Sequence, residues 1–225
     1  MESIVSNERA ARPVEVAGVC IPHTPLAIAA AEAAHASLPE VVTAHASRVF
    51  VFASLAARRE GCACEPDTLY VAAMFANMGL SAAYAHSTLR YEIDGAHAAR
   101  TFLQHYGASR GVLDELWCAI ALHMTPGLPM HVSPLARVLS SAVRTDLLAD
   151  NLGAYSLAER EQIVAAYPRG GHFKERMIDA IGRGVVHRPQ STFGTLSADV
   201  LERVDPDFCR TNFCGLILGS SWKDE

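Results

Sequence analysis

Apolar residues recur along most of the chain at the spacing of an α-helix. The clearest example begins after Pro39 and ends before Gly61. Residues separated by three, four and seven positions share one face of a helix. The inward face predicted for this segment consists of Val41, Val42, His45, Val49, Phe52 and Leu55. His45 is therefore a polar residue that is expected to face the core.

Capping residues, prolines and glycines divide the rest of the chain into further helices. Residues 25–37 are rich in alanine, and a second segment opens at Pro66-Asp67 and is predicted to remain helical to Leu80. Others are predicted over residues 91–106, from Ser109 to His123, from Ser133-Pro134 through Asp146, from the Ser156–Glu159 capping box onward, and over residues 173–185.

No segment alternates between apolar and polar residues as a half-buried strand would. Residues 1–22 show no helical period, and we interpret them as an extended or mobile arm. No long linker divides the remaining 23–225, and half of all residues are hydrophobic, which is enough for a substantial core. The sequence predicts an all-α protein with a single helical domain.

Three polar residues, His45, Asn77 and Asp146, fall on otherwise apolar helix faces. Burying such a group without a partner costs on the order of several kcal/mol. A single inward histidine is more often a hydrogen-bonded core residue than a ligand. Three such residues on three separate helices make that interpretation less favourable, because together they could satisfy one another.

Several short motifs occur in a fixed order around these residues, and together they resemble one family. They are residues 45–49 (His-Ala-Ser-Arg-Val), the segment 69–80, residues 90–96 (Arg-Tyr-Glu-Ile-Asp-Gly-Ala), residues 121–127 (Ala-Leu-His-Met-Thr-Pro-Gly), residues 142–146 (Ala-Val-Arg-Thr-Asp) and residues 217–222 (Ile-Leu-Gly-Ser-Ser-Trp). From His45 onward the chain resembles the HD superfamily of metal-dependent hydrolases, most closely its cyanamide hydratase-like branch. The resemblance implies an HD-like helical bundle.

The resemblance also implies a metal site. In that family a zinc or iron ion is held by a first histidine, a His-Asp doublet and a later aspartate. His45 matches the first ligand and Asp146 the last, but the doublet reads Ala76-Asn77. Asn77 keeps a carbonyl oxygen that could coordinate, yet it lacks the negative charge that attracts a cation. The remaining set falls below the three protein ligands of a typical catalytic zinc site.

Two further histidines, His86 and His123, resemble residues that line the substrate pocket in this branch of the family. Either could add a ligand, position a substrate or transfer a proton. The alternatives are a solvent-exposed loop histidine for His86 and a helix-end residue that interacts with the dipole for His123. His97 is expected to face outward, and the acidic residues Glu92 and Asp94 suit a helix start.

The charge and the cysteine content indicate which binding partners and which cellular compartment to expect. The net charge is -5 and there is no run of lysine or arginine, so nothing favours nucleic acid or a membrane surface. Six cysteines without a signal peptide are typical of a reducing cytoplasm. We expect a small-molecule substrate or ligand, and the apolar segment 213–218 could pack on the core or in a homo-oligomer.

Two functional hypotheses follow. The first is an HD-type hydrolase or hydratase of small nitrogen-containing molecules, with His45, Asn77 and Asp146 at the metal and Asn77, His86 and His123 in catalysis. The second is a metal-free pseudoenzyme that binds a small ligand or a protein through the retained fold. Replacement of His-Asp by Ala76-Asn77 is also a change that an experimenter would introduce to inactivate a site. The sequence does not separate a natural from an engineered origin. The sequence also allows a nucleophilic pair of one cysteine and one histidine that lie far apart in the chain.

Overall fold

The computed structural model describes residues 14–222. Most residues in this range are helical, which confirms the all-α prediction. A hairpin pairs β1 (Glu15–Val16) with β2 (Val19–Cys20) in antiparallel register. The helices are α1 (Pro25–Ser37), α2 (Glu40–Glu60), α3 (Pro66–Phe75), α4 (Tyr91–His105), α5 (Arg110–Leu122), α6 (Pro134–Leu148), α7 (Leu157–Ala166), α8 (Phe173–Val185), α9 (Ser197–Val204) and α10 (Phe213–Leu218).

The hairpin lies in the segment interpreted as an arm, so the prediction that no segment forms a strand is wrong here. Each strand has two residues, which is too short to show an alternating pattern. Ala17 and Gly18 both have positive φ, as a two-residue hairpin loop requires. Val16 and Val19 are buried against the helices. The first part of the predicted arm, residues 1–13, lies outside the described residues.

The helix starts predicted at Ser133 and Ser156 are confirmed by capping bonds. The Ser133 hydroxyl accepts a hydrogen bond from the Ala136 amide at 3.1 Å. At α7 the Glu159 amide donates to Ser156 Oγ, and the Ser156 amide donates to the Glu159 carboxylate, which completes the capping box. These local signals position α6 and α7 correctly from the sequence alone.

The segment predicted to be helical as far as Leu80 departs from that prediction. Helix α3 ends at Phe75, and a 3-10 turn follows over Met78–Leu80. A Cβ placed on Gly79 would lie 2.1 Å from the carbonyl oxygen of Tyr91, and one on Gly95 would lie 2.7 Å from that of Phe75. The backbone after α3 therefore packs directly on the first turns of α4, and this close contact accompanies the end of the helix.

Helix α2 is at the centre of the molecule, where it packs against α3 and α6. It is the one helix of the described residues that is long and apolar enough to cross a membrane, but 78% of that apolar window is buried inside the fold. Such burial is typical of a core helix. Its inward face carries His45 to the point where α6 presents Asp146.

Candidate functional site

The centre of the candidate site is a buried pair formed by His45 and Asp146. His45 Nδ1 lies 2.6 Å from Asp146 Oδ2, and both side chains are 1% exposed. A carboxylate only accepts hydrogen bonds, so Nδ1 is the donor. The two residues come together because each lies on the apolar face of its helix and α2 packs on α6. The sequence prediction that both face inward is confirmed.

Two arginines complete the surroundings of the Asp146 carboxylate. Arg48 donates from Nε to Oδ1 at 2.7 Å and from Nη2 to Oδ2 at 2.8 Å, while Arg169 donates from Nη1 to Oδ1 at 2.8 Å. With His45, each carboxylate oxygen accepts two hydrogen bonds. A carboxylate offers about four acceptor positions in all. The acceptor capacity of Asp146 is therefore used within the protein.

Arg48 was not predicted as a site residue, although it follows His45 by three positions on the same helix. Its side chain is fully buried. The Nη1 group donates to the carbonyl oxygens of Tyr167 and Pro168 at 3.1 and 3.2 Å. A buried arginine must have such partners. An arginine at helical spacing from an inward histidine is the sequence signal that could have revealed it.

These contacts also determine the charge of Asp146. Burial by itself raises the pKa of this carboxyl group, but the hydrogen bonds from His45 and Arg48 outweigh burial and place the pKa well below its usual value. Asp146 is ionised at neutral pH. Its negative charge is balanced by Arg48 and Arg169 rather than left available to a cation.

The doublet positions contribute little to metal binding. Ala76 is buried and offers only a methyl group, and it caps the C-terminal end of α3. Asn77 is buried too, and its side chain makes no hydrogen bond to the described residues. Across residues 14–222 there is no group of three or more His, Cys, Asp or Glu side chains arranged to hold a metal ion.

The donor set therefore does not fit an HD-type metal centre. Asp146 has no free acceptor position, and His45 has committed Nδ1 to Asp146, which leaves only its Nε2. The Asn77 amide oxygen would be a second, neutral ligand. Two such donors are fewer than a catalytic zinc or iron site uses.

His123 has a different environment. It caps the C-terminal end of α5 and is 1% exposed. Nδ1 lies 2.7 Å from the carbonyl oxygen of Ile120, and because that oxygen only accepts, Nδ1 carries the proton. Burial lowers the pKa of His123 and keeps the ring neutral. The lone pair on Nε2 is buried and has no hydrogen-bond partner among the described residues.

His123 and Tyr91 form part of the wall of a cavity of about 390 Å³. The cavity lies between the end of α5 and helices α6, α8 and α9. Its surface is mainly apolar, with contributions from Val143, Leu147, Phe173, Met177, Ile181 and Val200. Charged side chains also line it, among them Lys174, which makes no ion pair with the described residues. The cavity was not predicted, because its walls come from five separate segments.

The other predicted residues lie elsewhere. His86 is exposed in the turn that precedes α4 and does not line the cavity, so the structure does not bring it to His45, Asp146 or His123. His97 faces outward, as predicted. Glu92 and Asp94 lie in the first turn of α4, as predicted, and both side chains are buried. Glu92 accepts from Arg90 at 3.1 Å, and Asp94 pairs with the buried Arg188.

Comparison with models of known protein families and with curated proteins finds no match for this chain. The resemblance to the HD superfamily therefore remains a proposal, carried by the order of the motifs.

Proposed function

We propose that the chain is an HD-like protein without a metal centre, and that it binds a small, largely apolar molecule in the cavity beside His123. The observation that carries the proposal is that His123, whose buried Nε2 lone pair has no hydrogen-bond partner among the described residues, is one of the residues that line the cavity. This nitrogen accepts a hydrogen bond from an N–H or O–H group of the ligand. The rest of the ligand contacts the apolar walls formed by α6 and α8.

The energetics support a ligand at this position. A buried acceptor without a partner costs about 1–3 kcal/mol, which a donor on the ligand would recover. A cavity of about 390 Å³ is within the size range of small-molecule sites, which are mainly apolar and carry a few polar groups that fix orientation. The lone pair of His123 would select ligands that carry a donor.

The contacts of Asp146 support the absence of a metal centre. A ligand to a cation must present free lone pairs, but this carboxylate already accepts bonds from His45, Arg48 and Arg169. Ala76 supplies no donor atom. On this proposal the HD-like scaffold is kept, while the pocket serves binding rather than metal-dependent hydrolysis.

The first test is the metal content of the purified protein, measured by inductively coupled plasma mass spectrometry. We expect no bound Zn, Fe, Mn or Ni, even after incubation with these ions. The matched variant Ala76→His/Asn77→Asp supplies the doublet that the resemblance implies and should gain metal. Near-stoichiometric metal in the unaltered protein would overturn the proposal and favour the metal-dependent hydrolase.

The second test asks whether His123 selects hydrogen-bond donors. Phenol and anisole have similar size, but only phenol donates, so phenol should bind more tightly by roughly two- to tenfold, the value of one net hydrogen bond. Titration calorimetry or ligand-detected NMR measures the ratio. His123→Leu should remove the preference and keep anisole binding, whereas His97→Leu, on the surface, should change neither. An unchanged preference in His123→Leu would contradict the proposed role.

A further inference from the structure

A second group of reactive side chains lies away from the His45–Asp146 pair, where α2 ends. Cys62 and Cys64 follow Gly61, which adopts φ +64° as the C-cap. The Cys62 amide donates to the carbonyl oxygen of Ala57 at 2.8 Å and fixes this turn. Both thiols are free and half-buried, and both line a groove of about 290 Å³. Neither the resemblance nor the proposed function uses them.

The two cysteines are close enough along the backbone for their Cα atoms to fall within the range that a disulfide spans. Two residues apart in sequence, their Cα atoms are at most about 7.6 Å apart, because each peptide step spans about 3.8 Å. The Cys64 amide donates to the Cys62 carbonyl oxygen at 3.1 Å, which closes a γ-turn and shortens that separation. Disulfides join Cα atoms about 4.4–6.8 Å apart.

The Cys62 sulfur is in direct contact with a cation. Arg137, on α6, donates from Nη2 to Cys62 Sγ at 2.9 Å, and its Nε donates to Glu60 at 2.8 Å. A guanidinium beside sulfur stabilises the thiolate, which is the nucleophilic form. Glu60 Oε2 accepts a hydrogen bond from the Cys62 thiol at 3.7 Å and is itself paired with Arg137.

Cys64 has another environment. Burial raises the pKa of the Cys64 thiol, with a smaller contribution from neighbouring Cys62. The neighbouring pair therefore contains one sulfur beside a cation and one that stays a thiol. This difference suits a pair in which the first cysteine attacks an oxidant and the second attacks the oxidised sulfur to form a disulfide.

We propose that Cys62 and Cys64 form a site of reversible oxidation by hydroperoxides. The Cys62 thiolate attacks one peroxide oxygen, so an S–O bond forms, the O–O bond breaks, and the leaving hydroxide takes up a proton as water. The sulfur of Cys64 then attacks Cys62, so the S–S bond forms and the S–O bond breaks. The second hydroxide leaves as water with the Cys64 proton. Two thiols lose two electrons, and hydrogen peroxide gains them.

The remaining cysteines provide internal comparisons. Cys209 and Cys214 are exposed, and among the described residues no arginine or lysine donates a hydrogen bond to either sulfur. Cys20 lines the same groove as Cys62 and Cys64, so it is the competing partner for a disulfide. Selective oxidation of Cys62 and Cys64 would thus reflect their environment rather than exposure.

The experiment treats the full chain with limiting hydrogen peroxide, alkylates the remaining thiols and maps the peptides by mass spectrometry. The peptide with Cys62 and Cys64 should lose two hydrogen atoms and resist alkylation, while Cys209 and Cys214 are alkylated. In Cys64→Ser the reaction should stop at a sulfenic acid on Cys62, which dimedone traps. Oxidation no faster than that of Cys209 and Cys214, or a disulfide from Cys62 to Cys20, would overturn the proposal.

Substitution of the arginine tests the role of the cation. Arg137→Met should slow disulfide formation by roughly threefold, because the attacking sulfur loses the cation that contacts it. Arg144→Met, on the same helix but paired with Asp150, is the matched control and should leave the rate unchanged. Circular dichroism confirms that each variant is folded. Equal rates for the two variants would remove Arg137 from the mechanism, and the assignment of Cys62 as the attacking thiol would fail with it.

Discussion

At the scale of single residues, Arg48 decides the character of the candidate site. It reaches both carboxylate oxygens of Asp146 from the helix that also carries His45. A bidentate arginine–carboxylate pair is among the strong interactions of this type. The buried charges are therefore matched inside the protein, and the Asp146 carboxylate has no free acceptor position.

Removing the charge of Asp146 should destabilise the fold strongly. Asp146→Asn leaves the buried guanidinium of Arg48 without its counter-ion, and loss of one partner of a buried pair costs about 3–5 kcal/mol. Asp114→Asn breaks the exposed pairs with Arg100 and Arg110 and should cost at most about 1 kcal/mol. Urea unfolding measures both free energies. Equal losses would contradict the argument.

The same pair predicts a pH dependence. The folded-state pKa of Asp146 is lowered, so its contribution is fully present above the unfolded-state value of about 4 and is lost as the pH falls through the folded-state pKa. The difference in unfolding free energy between the unaltered protein and Asp146→Asn should be constant above about pH 5 and shrink below about pH 4. If the difference in unfolding free energy instead grows as the pH falls, the prediction is wrong.

At the scale of elements, the junction between α3 and α4 determines where the doublet positions lie. Arg188, which follows α8, donates to the carbonyl oxygens of Gly79 at 2.5 Å and of Leu89 at 2.9 Å, and it pairs with Asp94 on α4. One buried side chain thus joins the turn after α3, the start of α4 and the end of α8. This network fixes the backbone next to Asn77.

Adding a methyl group at this junction should disrupt it. A Cβ on Gly79 would lie 2.1 Å from a backbone oxygen and 2.8 Å from the Cβ of Asp94, so the helices must separate. Gly79→Ala should destabilise the protein by about 2–3 kcal/mol or more. Gly111→Ala, in α5, meets no atom within 4 Å and should instead be stabilising by about 0.4–1 kcal/mol. Thermal unfolding compares them, and similar melting temperatures would refute the close contact.

At the scale of the whole molecule, α10 is apolar yet does not pack on the core. Leu218 is 86% exposed and Trp222 is 91% exposed, and Phe213 is also largely exposed. Of the two arrangements considered for residues 213–218, packing on the core is excluded by this exposure. The buried core is complete without them.

Ending the chain after Thr211 should therefore leave the stability of the fold nearly unchanged, within about 0.5 kcal/mol, because few buried contacts are lost. Leu201→Ala, at a fully buried position of α9, provides the contrast and should cost about 2–5 kcal/mol. Urea unfolding measures both. A truncation that costs as much as Leu201→Ala would show that α10 packs on the body of the protein in solution.

Local patterns in the sequence were enough to predict the helical class, most helix starts and the inward positions of His45 and Asp146. Helical periodicity and capping depend on residues within a few positions of one another, and such signals are readable without tertiary contacts. The hairpin at residues 15–20 was missed because its strands are too short to show a period. The end of α3 was missed because α4 and Arg188 determine it from a distance.

What the tertiary structure alone decided is the chemistry available at the site. Asp146 receives Arg48 from α2 and Arg169 from the loop before α8, and the cavity beside His123 is assembled from segments far apart in sequence. The sequence determined which polar residues face inward, since that follows from position on a helix. Whether an inward carboxylate binds a cation or an arginine depends on which side chains the packing of separate helices brings within hydrogen-bonding distance.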